Sequence, residues 1–200
     1  MSTSIDENNN NSTSNSSSNN SVMMLDVEEY IEALNKRFTI KLCNSKDLQT
    51  NLKELFPTPI TEILSKQQPI HLILVWTPTT LPMSGYSDRT DVEREQVANT
   101  VTLASKICKS ISDNNNNNSD SVSYWSDFID PLSGVPYLNR ENVNSIFIPT
   151  DMGVPLGIDI IDVGCCQVMR HPEWRVRALF SMIVTNAPIE IISNAIKSQI

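Results

Sequence analysis

Apolar residues along this chain switch between two periods, and each switch marks an element. Val27, Tyr30, Ile31 and Leu34 recur at i, i+3, i+4 and i+7, which predicts an amphipathic helix. Phe38, Ile40 and Leu42 then alternate with Arg37, Thr39 and Lys41, the two-residue period of a half-buried strand. Helical spacing returns at Leu48, Leu52, Leu55 and Phe56 and is stopped by Pro57 and Pro59. Residues 70–76 are an almost unbroken apolar run, which predicts a central strand buried on both faces. Thr90 and Glu93 match a capping box, in which each side chain satisfies a free backbone N–H at a helix start. The helix they open places Val97, Val101, Ala104, Cys108 and Ile111 on one buried stripe.

Beyond residue 120 the pattern becomes strand-like. Residues 122–129 are rich in aromatic and β-branched side chains, and the turn sequence Asp130-Pro131-Leu132-Ser133-Gly134 ends them. Residues 145–148 read as a short edge strand closed by Pro149. Two longer stretches, 157–170 and 176–185, flank His171-Pro172-Glu173-Trp174-Arg175, predicting an antiparallel hairpin with a five-residue loop. Pro188 opens a last helix carrying Ile191, Ile192, Ala195 and Ile196. Antiparallel strands with flanking helices make an α+β layer fold in a single domain.

Composition and charge narrow this picture. Residues 1–20 are mostly Ser and Asn, too polar to offset the entropy of ordering, so a disordered tail is expected ahead of one domain over 21–200. The asparagine run at 114–118 predicts an expanded surface loop over 113–120. Fifteen Lys and Arg against 23 Asp and Glu give a net charge of −8, which opposes nucleic-acid binding. No apolar run approaches the ~20 residues of a membrane span, so no membrane partner is expected. The start has neither the basic end and apolar middle of a secretory signal nor the arginines of a mitochondrial presequence. A cytoplasmic location follows as the expectation, with the four cysteines as reduced thiols.

Candidate chemistry is concentrated at one place. The chain has no glycine-rich phosphate loop, no His-Glu zinc motif and no CxxC, and its two histidines, His71 and His171, are far apart in sequence. The best reactive atoms are the sulfurs of Cys165 and Cys166, within Ile-Asp-Ile-Ile-Asp-Val-Gly-Cys-Cys-Gln-Val-Met-Arg-His. Strand alternation puts Ile161, Val163, Cys165 and Met169 on one face and Asp162, Gly164, Cys166 and Arg170 on the other, burying Cys165 and exposing Cys166. A bulge at Gly164 would reset that alternation. The bland reading is that both thiols are packing, since Cys is among the most buried residue types. A disulfide between neighbours would need a strained ring. Trp125 and Trp174 read as core or interface anchors, His171 before Pro172 as a turn residue, and Asp127 beside its turn as solvated.

The stretch Tyr124-Trp125-Ser126-Asp127-Phe128-Ile129-Asp130-Pro131-Leu132-Ser133-Gly134 resembles a segment of the methylmalonic aciduria and homocystinuria type D protein family. So does Asp162-Val163-Gly164-Cys165-Cys166-Gln167-Val168-Met169-Arg170-His171, on to Thr185-Asn186-Ala187. The similarity is dense over 124–187, fair from about residue 70 and faint before that. The resemblance implies a nitroreductase-like α+β domain without flavin chemistry, so no flavin is expected. It further implies an intracellular cobalamin (vitamin B12) trafficking adaptor rather than an enzyme. Such an adaptor binds the cobalamin-loaded type C protein, shares the cofactor with it, and directs it toward methionine synthase or the mitochondrion for methylcobalamin or adenosylcobalamin synthesis.

On this chain the implied cobalt ligand is a thiolate of Cys165, with Cys166 as second choice, beside Gly164. Tyr124, Trp125, Asp127, Arg170 and His171 are expected at the partner surface. Thiolate is among the softest donors a protein supplies, and only the deprotonated sulfur coordinates. The Ser/Asn tract stands where longer relatives carry a targeting extension, which makes mitochondrial delivery the less expected branch. The competing class is a thiol- or flavin-dependent oxidoreductase of nitroreductase type. A thiol enzyme prefers a CxxC, and a flavin enzyme needs phosphate contacts that five glycines supply poorly.

Overall fold

The computed structural model describes residues 37–84, 86–114, 123–140, 143–164 and 167–199. The predicted helix around residues 27–34, the Ser/Asn tail and positions 115–120 of the asparagine loop lie outside the described residues.

β1 (Phe38–Leu42), β2 (His71–Pro78), β3 (Ser126–Phe128) and β6 (Ala178–Thr185) form one antiparallel sheet in the order β1-β2-β6-β3. The two central strands are buried along their whole length except at Pro78. Their apolar residues do not alternate with polar ones because helices cover both faces of the sheet. Leu72, Leu74 and Trp76 join Phe180, Met182 and Val184 in a core capped by α1 (Lys46–Leu55), α2 (Pro57–Ser65) and α4 (Pro149–Gly153). On the opposite face lies α3 (Tyr86–Asp113), which buries Ala104, Ile107, Cys108 and Ile111. Its Thr100 hydroxyl meets that of Thr77 on β2 at 2.7 Å. α5 (Ile189–Lys197) packs beside α3 and buries Ile192, Ala195 and Ile196. The architecture is α+β, as expected.

Most predicted elements stand where the pattern placed them, and the departures have local causes. β1 is an edge strand, so its apolar row runs from buried Phe38 to half-exposed Leu42. Pro57 ends α1 but also opens α2, because the first turn of a helix needs no N–H from its residues. Thr90 is not a cap; α3 begins a turn earlier at Tyr86. The buried stripe of α3 is rotated accordingly, with Thr100 and Ile107 fully buried and Val97 and Val101 half-buried. The expected edge strand at 145–148 is irregular: Phe147 N–H bonds the Gly134 carbonyl, and Pro149 starts α4.

The largest correction concerns the predicted hairpin of 157–170 with 176–185. The first stretch folds back on itself instead, as β4 (Asp159–Asp162) and β5 (Gln167–Arg170), a separate two-stranded ribbon. β6 leaves for the main sheet, where it pairs with β2 and β3. The break comes at Gly164, whose φ of +88° is left-handed and so a natural turn for glycine.

Candidate functional site

The ribbon frames the paired cysteines. Ile160 faces Met169, Ile161 faces Val168, and Asp162 faces Gln167, which leaves residues 163–166 to connect the strands. Cys165 and Cys166 themselves lie outside the described residues. The Asp162 carboxylate accepts the Gly164 N–H at 2.8 Å, an Asx-type turn that starts the connection. Asp162, Gly164 and Gln167 are all exposed. Gly164 makes a turn and not a bulge, so strand alternation cannot be carried across it to rank the two sulfurs.

The two faces of the ribbon differ. Met169 packs on the main core, and Ile160 reaches to 3.0 Å of where a Cβ on Gly153 of α4 would sit. Ile161 and Val168, on the other face, are half-buried. Val168 and Met169 join Met83, Leu132, Ile146 and Phe180 around a cavity of about 280 Å³. Leu132 and Ile146 are 54% and 55% exposed there. At the ribbon's base, Arg170 clasps Asp159, with Nε–Oδ2 at 2.5 Å. Exposed pairs of this kind contribute under ~1 kcal/mol but fix a side chain's direction.

His171 follows at once and is buried, 3% exposed. Its Nδ1 accepts the backbone N–H groups of Glu173 and Trp174 at 3.2 and 3.1 Å. The ring stacks on Trp174 at 4.2 Å and stands edge-on to Trp76 at 5.2 Å. His171 is thus a turn residue, as read from the sequence, and is enclosed rather than presented at the surface. Trp76 in turn meets Phe180, and Phe180 meets Phe147, so an aromatic row links the turn to the cavity wall.

Tyr124 and Trp125 are half-buried and Asp127 is fully buried. Trp125 stands edge-on to Phe56 and lines a cavity of about 540 Å³ with α2 residues such as Thr58, Pro59 and Glu62. The reading of Asp127 as a solvated surface residue is overturned. Its carboxylate accepts from Phe128 N, Leu138 N, Asn139 N and Asn139 Nδ2 at 2.7–3.1 Å. Asp130 performs a parallel task, accepting from Leu132 N, Ser133 Oγ and Arg140. The two aspartates tie down the loop whose Leu132 borders the ribbon. The Asp-x-Gly spacing at 162–164 is the sequence signal for the turn that Asp162 caps.

Two further thiols lie among the described residues. Cys43 and Cys108 are buried free cysteines. Burial pushes the Cys43 thiol up to about 11 and the Cys108 thiol up to about 12. Both stay protonated at neutral pH and supply no thiolate.

The family model for the methylmalonic aciduria and homocystinuria type D protein matches residues 2–197. Proteins named cobalamin trafficking protein CblD are 29% identical to the chain in Mus musculus and 28% in Homo sapiens, over 161 residues. That alignment covers 80% of this chain and 49% of each relative. The Gallus gallus protein of the same name is 28% identical over 163 residues, covering 81% of this chain and 50% of its own. The chain therefore spans about half the length of the relatives it matches. With the match running over nearly its whole length, the chain belongs to the methylmalonic aciduria and homocystinuria type D protein family.

Proposed function

We propose that the chain is a non-enzymatic cobalamin-trafficking adaptor that lends a cysteine thiolate to cobalt held by a partner protein. The ligand is Cys165, with Cys166 the second choice, and the partner is the cobalamin-loaded type C protein. The observation that carries this reading is the frame of the β4–β5 ribbon: the residues on either side of the cysteine pair, Gly164 and Gln167, are both exposed. A sulfur joined to such a frame can approach a metal bound on another protein, whereas Cys43 and Cys108 are enclosed and protonated. Cobalt accepts a soft sulfur at an open axial position, and the bond ties the cofactor to two proteins during transfer.

The domain is read as nitroreductase-like, with the ribbon added beside the four-stranded sheet. It works in the cytosol, where its thiols stay reduced, and it passes the cofactor on toward methionine synthase. Exposed Leu132 and Ile146 beside the ribbon suit an interface core. Mixing the purified chain with the cobalamin-loaded partner tests the proposal: a new sulfur–cobalt absorption band is expected, and an unchanged cobalt spectrum counts against it. A yellow flavin absorbance on the purified chain would favour the oxidoreductase class instead.

A further inference from the structure

The ribbon that frames the cysteine pair passes directly into the main sheet at only one end. β5 ends at Arg170, His171 opens a tight turn, and β6 begins at Ala178. The turn is closed by two reciprocal bonds, His171 N–H to the Arg175 carbonyl at 2.9 Å and Arg175 N–H to the His171 carbonyl at 3.0 Å. Arg175 takes a φ of +55°, a left-handed conformation that a non-glycine residue adopts only when its surroundings hold it.

His171 Nδ1 does the holding from inside. It accepts from the residues two and three positions on, which is the geometry of an Asx turn carried out by an imidazole. An Nδ1 that accepts two N–H groups carries no proton in this arrangement. The ring is simultaneously clamped between Trp174 and Trp76, and Trp76 belongs to β2 at the centre of the sheet. One side chain therefore joins the backbone of the turn at the ribbon's foot to a central strand of the sheet.

We propose that His171 is a positioning residue for the cysteine pair. Its Nδ1 cap fixes the direction in which the ribbon leaves the sheet, and with it the reach of the sulfur. This inference rests on the thiolate reading above. It also reassigns His171 from partner contact to internal support, which its burial requires.

Two substitutions separate the cap from the ring. His171→Asn places an oxygen where Nδ1 stood, keeping the cap while discarding the stack. His171→Phe keeps a stacking ring and removes the acceptor. His171→Ala, which removes both, stands in for the Phe variant should that variant fail to fold. Two readouts are taken on full-length folded protein: amide hydrogen exchange of Gln167, Val168 and Met169, and titration of the sulfur–cobalt band with the cobalamin-loaded partner.

Losing both N–H···Nδ1 bonds, which are part-buried, is expected to speed ribbon exchange and weaken band formation about tenfold or more in His171→Phe. His171→Asn is expected to stay within about threefold of wild type in both. Unchanged exchange in the Phe and Ala variants, or an Asn variant as impaired as the Phe variant, overturns the proposal. The exchange readout needs no cobalamin. A ribbon that loosens as expected in a protein whose wild type gives no sulfur–cobalt band would leave His171 as the ribbon's anchor and remove the thiolate function instead.

Discussion

Replacing Gly164 by alanine perturbs one torsion and almost nothing else. Gly164 sits at φ +88°, and a Cβ built there meets no atom of the described residues within 4 Å. No packing or clash term enters, so the cost is the left-handed backbone alone, about 1–2 kcal/mol for a residue with a Cβ. At 1.4 kcal/mol per factor of ten, the turn that Asp162 caps becomes roughly five- to thirtyfold less populated relative to open forms. Where open forms predominate in the variant, the sulfur–cobalt band should then need up to that much more loaded partner to reach half its amplitude. Valine, β-branched, should cost more than alanine, and asparagine, which tolerates this region, should cost less. The assay is a spectral titration beside a thermal melt, in which global stability falls by no more than the same 1–2 kcal/mol. Alanine and valine variants titrating within twofold of wild type, or asparagine no milder than alanine, would refute the claim that this turn presents the cysteines.

Asp127→Ala removes the acceptor for four N–H groups at a carboxylate with no exposed surface, and should cost about 3–5 kcal/mol in urea denaturation. Variant that still folds under assay conditions should bind the partner within about threefold of wild type; a tenfold loss in folded protein would mean Asp127 acts at the interface after all. Cys108 ionises near 9.0 when unfolded and at about 12 when folded, so its contribution is complete below pH 9 and lost as pH rises toward 12. That interval corresponds to at most about 4 kcal/mol, and Cys108→Ala should lose less stability than wild type between pH 8 and 11.5. Equal alkaline losses in the two proteins would contradict it. Arg170→Ala breaks an exposed ion pair with Asp159 and should lower stability by under ~1 kcal/mol, which chemical denaturation can bound.

Periodicity found the elements that obey a single period and missed those set by one residue. β2 and β6 were legible because their mostly apolar sequences show no alternating polar face, and α5 because Ile192, Ala195 and Ile196 share a stripe. The ribbon was hidden because residues 163–166, between its strands, carry no polar side chain, so only Asp162 and Gly164 signal the turn. Pro57 and Pro149 read as stops in the sequence, yet each sits in the first turn of a helix. Of the residues around the candidate site, the turn role of His171 was readable from residue type and spacing. The burial of Asp127 was not, since its four donors come from residues 128–139 and become neighbours only after the loop closes.

The central claim is that a sulfur of the 165–166 pair ligates cobalt on the partner. The direct measurement is the cobalt absorption spectrum of the loaded partner mixed in turn with wild type, Cys165→Ser, Cys166→Ser and the double variant. Serine keeps size but replaces a soft, ionisable sulfur with a hard hydroxyl. The account predicts a sulfur–cobalt band that is lost with Cys165→Ser, largely kept with Cys166→Ser and absent from the double variant, with all four proteins melting alike. A band that persists in the double variant would contradict thiolate ligation and return both cysteines to a structural role.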